Sequence, residues 1–401
     1  MPTEVFEVEG HIIDSLILAK VLDAILDSGA EYRIVDVQIG RASTDASRAR
    51  IEVEADDDVL ATLATELQLQ GANRVADADA SLVPCERDGV LPAGFYSTTN
   101  LRTQVRLDGH WVDVDNPEMD CAVVVRDGAA TTAPMHRVHA GDRVVVGLDG
   151  VRVQPLERPR GANPFEFMAS EVSSEKPKEA LVGEVAGRIR ASKAVGGRLL
   201  AVCGPAVIHT GAGPDLARLV RHGWVDVLFA GNGFATHDIE SNVLGTSLGI
   251  LLEQGLPIEH GHSNHLRVIN EIRRRGSIAA AVADGYLSSG VMYECVRHEV
   301  PYVLGGSIRD DGPLPDVYTD VVEAADAMRA LVPGVTVALM LASTLHAIAT
   351  GNLLPAGVET FLVDINQAVV TKLADRGSHQ ALGIVTDAGL FLGLLADHLC
   401  S

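Results

Sequence analysis

The chain has 401 residues, of which 47% are apolar and 21% charged, an ordinary globular balance that rules out wholesale disorder and a single small binding module. Its 54 Asp and Glu outnumber 32 Lys and Arg, and the net charge of -22 repels phosphate backbones and anionic lipid, so neither nucleic acid nor membrane is an expected partner. Five cysteines, at 85, 121, 203, 295 and 400, form no CxxC pair, which gives no zinc ribbon or disulfide framework and fits a reducing cytoplasm.

The opening MPTEVFEVEGHIID lacks the basic and apolar parts of a signal peptide, and the longest apolar run, VALMLASTLHAIATG, falls short of a membrane span. A cytoplasmic protein is expected. Residues 1–85 alternate strand and helix. VFEVEGHI reads as a strand, and DSLILAKVLDAILDSG as an amphipathic helix with Ile17, Leu18, Val21, Leu22 and Ile25 on one face. The strands YRIVDVQIG and RARIEVEAD, a helix over DDVLATLATELQLQG and a last strand, RVADADASLVP, complete a βαββαβ order, the ferredoxin-like α+β arrangement.

Residues 86–158 hold short strands split by Asp-Gly turns, TQVRLDGHWVDVD, CAVVVRDG and HRVHAGDRVVVGLDGVRVQPL, which predict a small all-β, barrel-like domain with a scaffold role. ERPRGANPF reads as a linker. Over residues 165–401 the apolar runs GRLLAVCG, WVDVLFAG, VPYVLGG, VTVALMLA, ETFLVDI and HQALGIVT alternate with helical stretches. Strands apolar throughout and separated by helices imply an α/β, Rossmann-like doubly wound parallel sheet, with ligands beyond the carboxyl ends of its strands.

That rule selects the candidate residues. Strand VALML ends at Ala342, Ser343 and Thr344, and the next strand ends at Asp364, the spacing at which a carboxylate meets an adenosine ribose. Such a carboxylate accepts from both ribose hydroxyls and repels a 2′-phosphate, which points to NAD. The turn LASTLH lacks GxGxxG, so helix amides and the Ser343 and Thr344 hydroxyls would hold the pyrophosphate, and a plain strand-capping Asp remains the other reading. Asp387 and Ala388 end the neighbouring unit. GPAVIHTGAGPD over 204–215 is either a phosphate cradle or a glycine-rich turn, and AGNGFATHDIE sets Asn232, His237, Asp238 and Glu240 at a strand end, where dense polar side chains line a site. His260, His262 and His265 have a spacing open to a metal, but a His loop without Cys is more often simply polar, and no metal is assigned. GGSIRDDGPLPD offers Arg309 for a carboxylate and Asp310 and Asp311 for a base or an ammonium.

GPAVIHTGAG, VLFAGNGFATHDIE, HSNHLRVIN, SGVMYECV, GGSIRDDGPLPDVYTD, LHAIATGN and VDINQAVVTKLADRG together resemble the LOR/SDH-type family that includes the archaeal-type ornithine cyclodeaminases, and VEGHIID resembles that family's LOR/SDH region. The resemblance implies an NAD-dependent lyase that turns L-ornithine into L-proline and ammonia. By position it places NAD on Asn232, Gly233, Asp310, Thr344, Leu345, His346, Asp364, Asp387 and Ala388. Gly233 stands where the family has Ala, and Gly305–Gly306 where it has Ala-Gly.

The chemistry then assigns Arg309 to the substrate's α-carboxylate, His262 or His237 to the α-nitrogen proton, and Asp311 or Asp238 to the δ-ammonium. Rival readings are another NAD-dependent amino-acid enzyme on this scaffold, a non-catalytic nucleotide-bound amino-acid sensor, and a metal-dependent hydrolase at the three histidines. Two domains ahead of the catalytic one lead us to expect a homo-oligomer.

Overall fold

A computed structural model describes the chain outside residues 1, 14–15, 42–44, 76–77, 155–171, 174–177, 248–249, 252–262, 311, 377–380 and 401. Two units result: Met1–Ala169 with Leu354–Gly357, and Ser170–Leu353 with Val358–Ser401. The linker expected over 157–165 lies outside the described residues. Among those described, no helix is long and apolar enough to cross a membrane.

The first unit opens with β1 (Thr3–Gly10), α1 (Ile17–Asp27), β2 (Glu31–Gln38), β3 (Ser47–Glu54), α2 (Asp57–Leu69) and β4 (Asn73–Arg74). Their antiparallel order β2-β3-β1-β4 is ferredoxin-like. Strict alternation in β3 sends Ala49, Ile51 and Val53 to one face, where they pack with Phe6 and Val8 of β1 against Val21 and Ile25 of α1 and Leu60, Leu63 and Leu67 of α2. The strand expected over 74–84 divides. Asn73 and Arg74 pair with β1, whereas β5 (Ser81–Pro84) pairs with Arg143–Val146 in the next sheet. Ala80, just before β5, already packs into the core of that next sheet.

A seven-stranded sheet follows from β6 (Thr103–Leu107), β7 (His110–Asp115), β8 (Ala122–Arg126), β9 (Ala129–Ala133), β10 (Arg143–Val146) and β11 (Val151–Val153), with β5 completing it. Its hydrogen-bonded order among the described residues, β11-β6-β7-β9-β8-β10-β5, is open at both ends, so the strands form a mixed sheet in place of the expected barrel. The Asp-Gly turns behave as their residue types dictate: Asp108 and Gly109 have φ of 49° and 79°, Asp127 and Gly128 51° and 79°. Each pair closes a two-residue hairpin.

The second unit runs through β12 (Val172–Ser173), α3 (Lys178–Ala194), β13 (Arg198–Cys203), α4 (Ala206–His209), α5 (Gly213–Arg221), β14 (Val227–Gly231) and α6 (Asn232–Leu244). A short hairpin, β15 (Thr246–Ser247) and β16 (Ile250–Leu251), precedes α7 (Asn264–Arg275), α8 (Ile278–Ala283) and α9 (Val291–Arg297). Then come β17 (Tyr302–Gly305), β18 (Val317–Tyr318), α10 (Val321–Leu331), β19 (Val335–Leu341), α11 (Leu345–Leu353), β20 (Glu359–Asp364), α12 (Gln367–Arg376), β21 (Ala381–Val385) and α13 (Ala388–Cys400).

All eight strands are parallel, in the order β12-β21-β20-β19-β13-β14-β17-β18. Helices on both faces bury the central strands completely, which is why Leu199–Cys203 and Val337–Leu341 are apolar without alternation. The chain moves outward from β13 through β14 to β17 and β18, then returns to lay β19 on the other side of β13. The order reverses at the carboxyl ends of β13 and β19, where ligands of doubly wound sheets bind. The polar stretch after β14 is a helix, α6. Its polar residues are buried because each finds a partner, so no apolar stripe marks it.

Candidate active site

Backbone meets backbone at the switch point. The Gly204 amide donates to Leu341 O at 2.9 Å, and a Cβ on Gly204 would fall 1.8 Å from Ala342 O, so only glycine allows β13 to end this close to the turn after β19. Ala342 itself is left-handed, with φ 47°, which turns the chain sharply into α11. The turn exposes the Thr344 and Leu345 side chains, and neither the Ser343 nor the Thr344 hydroxyl has a partner among the described residues.

One strand along, β20 ends at Asp364, whose Oδ1 accepts the Asn366 amide at 2.8 Å. Asp387 follows β21 and its Oδ1 accepts the Leu390 amide at 3.0 Å, capping α13 behind the buried Ala388. His346, near the start of α11, lies over the ends of two other strands. A Cβ at Gly231 would come within 3.0 Å of its Cε1, and one at Gly305 within 3.2 Å of its Nε2. Those glycines make room for the ring, and burial holds its imidazole below the ordinary range, so it is neutral at neutral pH.

Beyond β14, Asn232 starts α6, and its Oδ1 accepts the Leu314 amide at 3.0 Å and the Thr236 hydroxyl at 3.4 Å. Gly233 leaves ordinary space for a methyl against Pro205, so its departure from the family pattern is sterically small. Asp310 accepts the Ser307 amide at 2.8 Å and closes a turn whose tip presents Ile308 and Arg309 to solvent.

The interior of α6 carries a linked polar group. His237, 9% exposed, sets Nδ1 2.9 Å from Glu240 Oε2, and the fully buried Glu240 accepts from Thr246 Oγ1 at 2.8 Å. Asn264 Nδ2 donates in turn to Thr246 at 3.0 Å. The His209 ring, from α4, stands 4.8 Å from that of His237, with Nδ1 2.7 Å from Ser247 Oγ; His265 is 6.4 Å from His237 on another side. Burial, then the neighbouring His237, pushes His209 below the ordinary imidazole range, while Glu240 opposes them.

Asp238, expected as a catalytic candidate, has another occupation. Fully buried, it accepts the Val291 amide at 3.0 Å and the Met292 amide at 2.8 Å, capping α9 with one oxygen each. Burial raises its carboxyl to about 6 in spite of those two amides. Sequence reasoning had His237 and Glu240 but not their link to His209, because α4 and α6 follow different strands. Its one signal was that a His occupies the first strand-to-helix connection. Within 204–215 the glycines serve geometry: Gly204 the close crossing, Gly211 a left-handed turn with φ 80°. His260, His262 and Asp311 lie outside the described residues, and among those described no three His, Cys, Asp or Glu side chains group as a metal cluster. A cavity of about 280 Å³ in the first unit, lined by residues such as Gln68, Phe95, Tyr96 and Leu148, has no charged lining side chain and offers a diamino acid no partner.

Comparison with known proteins matches three family models end to end. The LOR/SDH bifunctional enzyme conserved region covers residues 3–101, the first region of the arginine dihydrolase ArgZ-like C-terminal part 102–182, and its Rossmann fold 183–395. An ornithine cyclodeaminase of Methanopyrus kandleri is 52% identical over 400 residues, 99% of this chain and 97% of that protein. The chain belongs to the LOR/SDH-type ornithine cyclodeaminase family. Among solved structures of this family's relatives, ArgZ, a cyanobacterial arginine dihydrolase, superposes with a TM-score of 0.86 at 38% identity, covering all of this chain and 58% of that one. AgrE, solved as a ternary complex with ornithine and NAD+, is 41% identical with a TM-score of 0.55, over 100% of this chain and 57% of its own.

Proposed function

We propose that the chain is an NAD-dependent ornithine cyclodeaminase that converts L-ornithine to L-proline and ammonia. One observation carries the reading: a carboxylate, Asp364, ends the strand next to the β13–β19 switch point, where a dinucleotide's ribose lies in doubly wound sheets. The residues present fit NAD. Asp364 suits two ribose hydroxyls and repels a 2′-phosphate, and the start of α11 with Ser343 and Thr344 offers donors to the pyrophosphate. Asn232, Gly233, Asp310, Leu345, His346, Asp387 and Ala388 complete the proposed NAD site. Relatives bearing the ornithine cyclodeaminase name, and AgrE in complex with ornithine and NAD+, support the same reaction.

NAD, when bound, supplies the acceptor and later the donor of the substrate's Cα hydride. His237 takes the α-amine proton: Glu240 at its Nδ1 leaves Nε2 as acceptor and stabilises the imidazolium that results. The δ-amine then attacks Cα and ammonia leaves, the ring nitrogen taking the place of the α-nitrogen, and the hydride returned from bound NAD makes the product proline. Arg309 on its exposed turn pairs with the α-carboxylate. Asp311 and His262 keep the roles expected from sequence, the first toward the δ-ammonium and the second as an alternative partner of the α-nitrogen. Asp238, committed to α9, is left out.

The test is proline and ammonia formed in equal amounts from ornithine by NAD-loaded protein with no added oxidant or reductant. Absence of proline sinks the reading. Asp364→Ala should raise the NAD concentration for half-saturation by roughly tenfold to a hundredfold, the range for a hydrogen bond to a charged group. A change under about threefold removes Asp364 from the ribose.

A further inference from the structure

Away from the catalytic unit, β2 departs from the rule that strands of a half-buried sheet alternate. It is the edge of its sheet and seven of its eight residues are exposed, whereas its neighbour β3 alternates buried and partly buried. Ile34, Val35, Val37 and the adjoining Ile39 are 43%, 49%, 38% and 63% exposed, and Leu26 of α1 is 58% exposed. Ile34 and Val37 pair with Ile51 and Ala49, so they share the face that the helices cover elsewhere, yet among the described residues no helix buries them. Natural edges of this length are blunted by Lys, Pro, inward charges or a bulge, and β2 has an irregularity at Val35. EYRIVDVQ has no Lys and no Pro.

The ladder shows what fits this edge. Arg33 pairs with Glu52 and Asp36 with Arg50, while Val35 is the extra residue of an irregularity between Ile34 and Asp36. That extra residue puts Arg33 and Asp36, three apart, on the same helix-free face. The strand therefore becomes complementary to itself. Run antiparallel about a two-fold axis between residues 34 and 35, Arg33 of one copy faces Asp36 of the other, twice over. Tyr32 faces Val37, and Glu31 faces Gln38. We propose that β2 pairs with β2 of a second copy of this chain, joining two four-stranded sheets into one and covering the apolar residues that α1 leaves bare.

Charge reversal with remixing tests it. Arg33→Asp sets a carboxylate against the second copy's Asp36, and Asp36→Arg sets a guanidinium against the second copy's Arg33, so each variant alone repels itself across the axis. A one-to-one mixture restores an opposite-charge pair at both positions. Sedimentation velocity over a concentration series should show wild-type association, at least tenfold weaker association for either variant, and near wild-type association for the mixture. The Arg33–Glu52 ion pair lost in the first variant is largely exposed and of little consequence to the single chain's stability. Misfolded chains would not recover on mixing, and Val37→Lys, on the apolar face, should weaken association with no rescue by either partner. A wild-type chain that stays monomeric, association indifferent to both reversals, or a mixture no better than its components overturns the proposal.

Discussion

On the β14 side of the switch point, Asn232, His237, Asp238 and Glu240 are at most 9% exposed and each has a partner; on the β19 side, Leu345 and Ile365 are 76% and 74% exposed and two hydroxyls stand unpaired among the described residues. One side has its dipoles fixed before any ligand arrives, which is the condition for moving protons without reorganisation. The other leaves hydroxyls without partners among the described residues and apolar side chains exposed, which a bound NAD would engage under the proposed function. Chemistry and cofactor affinity should therefore respond separately to substitution.

The sharpest attempt to break that division is His237→Ala. It should lower kcat for ornithine by about 10²- to 10⁴-fold, the range for a removed general base, and leave the NAD half-saturation within about twofold. An equal loss of NAD affinity would erase the distinction between the two sides.

Asp238→Asn probes the fixed side through stability. Because burial lifts the folded carboxyl to about 6, its contribution is fully present below the unfolded carboxyl's range and is lost as pH rises through about 6. A tenfold change in a proton's affinity is worth about 1.4 kcal/mol, so this one group would withdraw up to roughly 3 kcal/mol between about pH 4 and pH 7. Thermal midpoints of Asp238→Asn should lack that slope; an unchanged pH profile refutes the raised carboxyl. His346 acts in the opposite direction, since its lowered imidazole holds stability above the ordinary His range and loses it as pH falls. The smallest effects belong to the open side: Leu345→Ser and Ile365→Ser should change unfolding free energy by less than about 0.5 kcal/mol. Each should still weaken NAD several-fold in a fluorescence titration, and a lowered melting temperature would show these side chains already packed.

The same asymmetry governs what was readable in the sequence. Six strands of the parallel sheet were legible because burial on both faces makes each an uninterrupted apolar run, and Asp364 followed from its distance past the first of two such runs. Helix α6 was illegible as a helix: Asn232, Thr236, His237, Asp238 and Glu240 interrupt any stripe, and their burial depends on Leu314, Thr246 and α9, which are distant in the chain. The division of the run 74–84 between two sheets was hidden for a related reason, since β-propensity carries no address for the partner strand. Charge complementarity within β2 could be seen only after the ladder had shown where its extra residue lies.

Leu354–Gly357 has a consequence for the order in which the molecule is made. Ala356, 2% exposed, sits in the apolar cluster of Val105, Val114 and Val123, and its amide donates to Asn100 O at 2.8 Å. A core otherwise assembled from residues 80–153 thus waits for a piece encoded near the far end. During synthesis that core stays unfinished until most of the parallel sheet has already emerged, and the late arrival closes a very long loop, the slowest kind of contact to form. The first unit is therefore incomplete until residues 354–357 have been made.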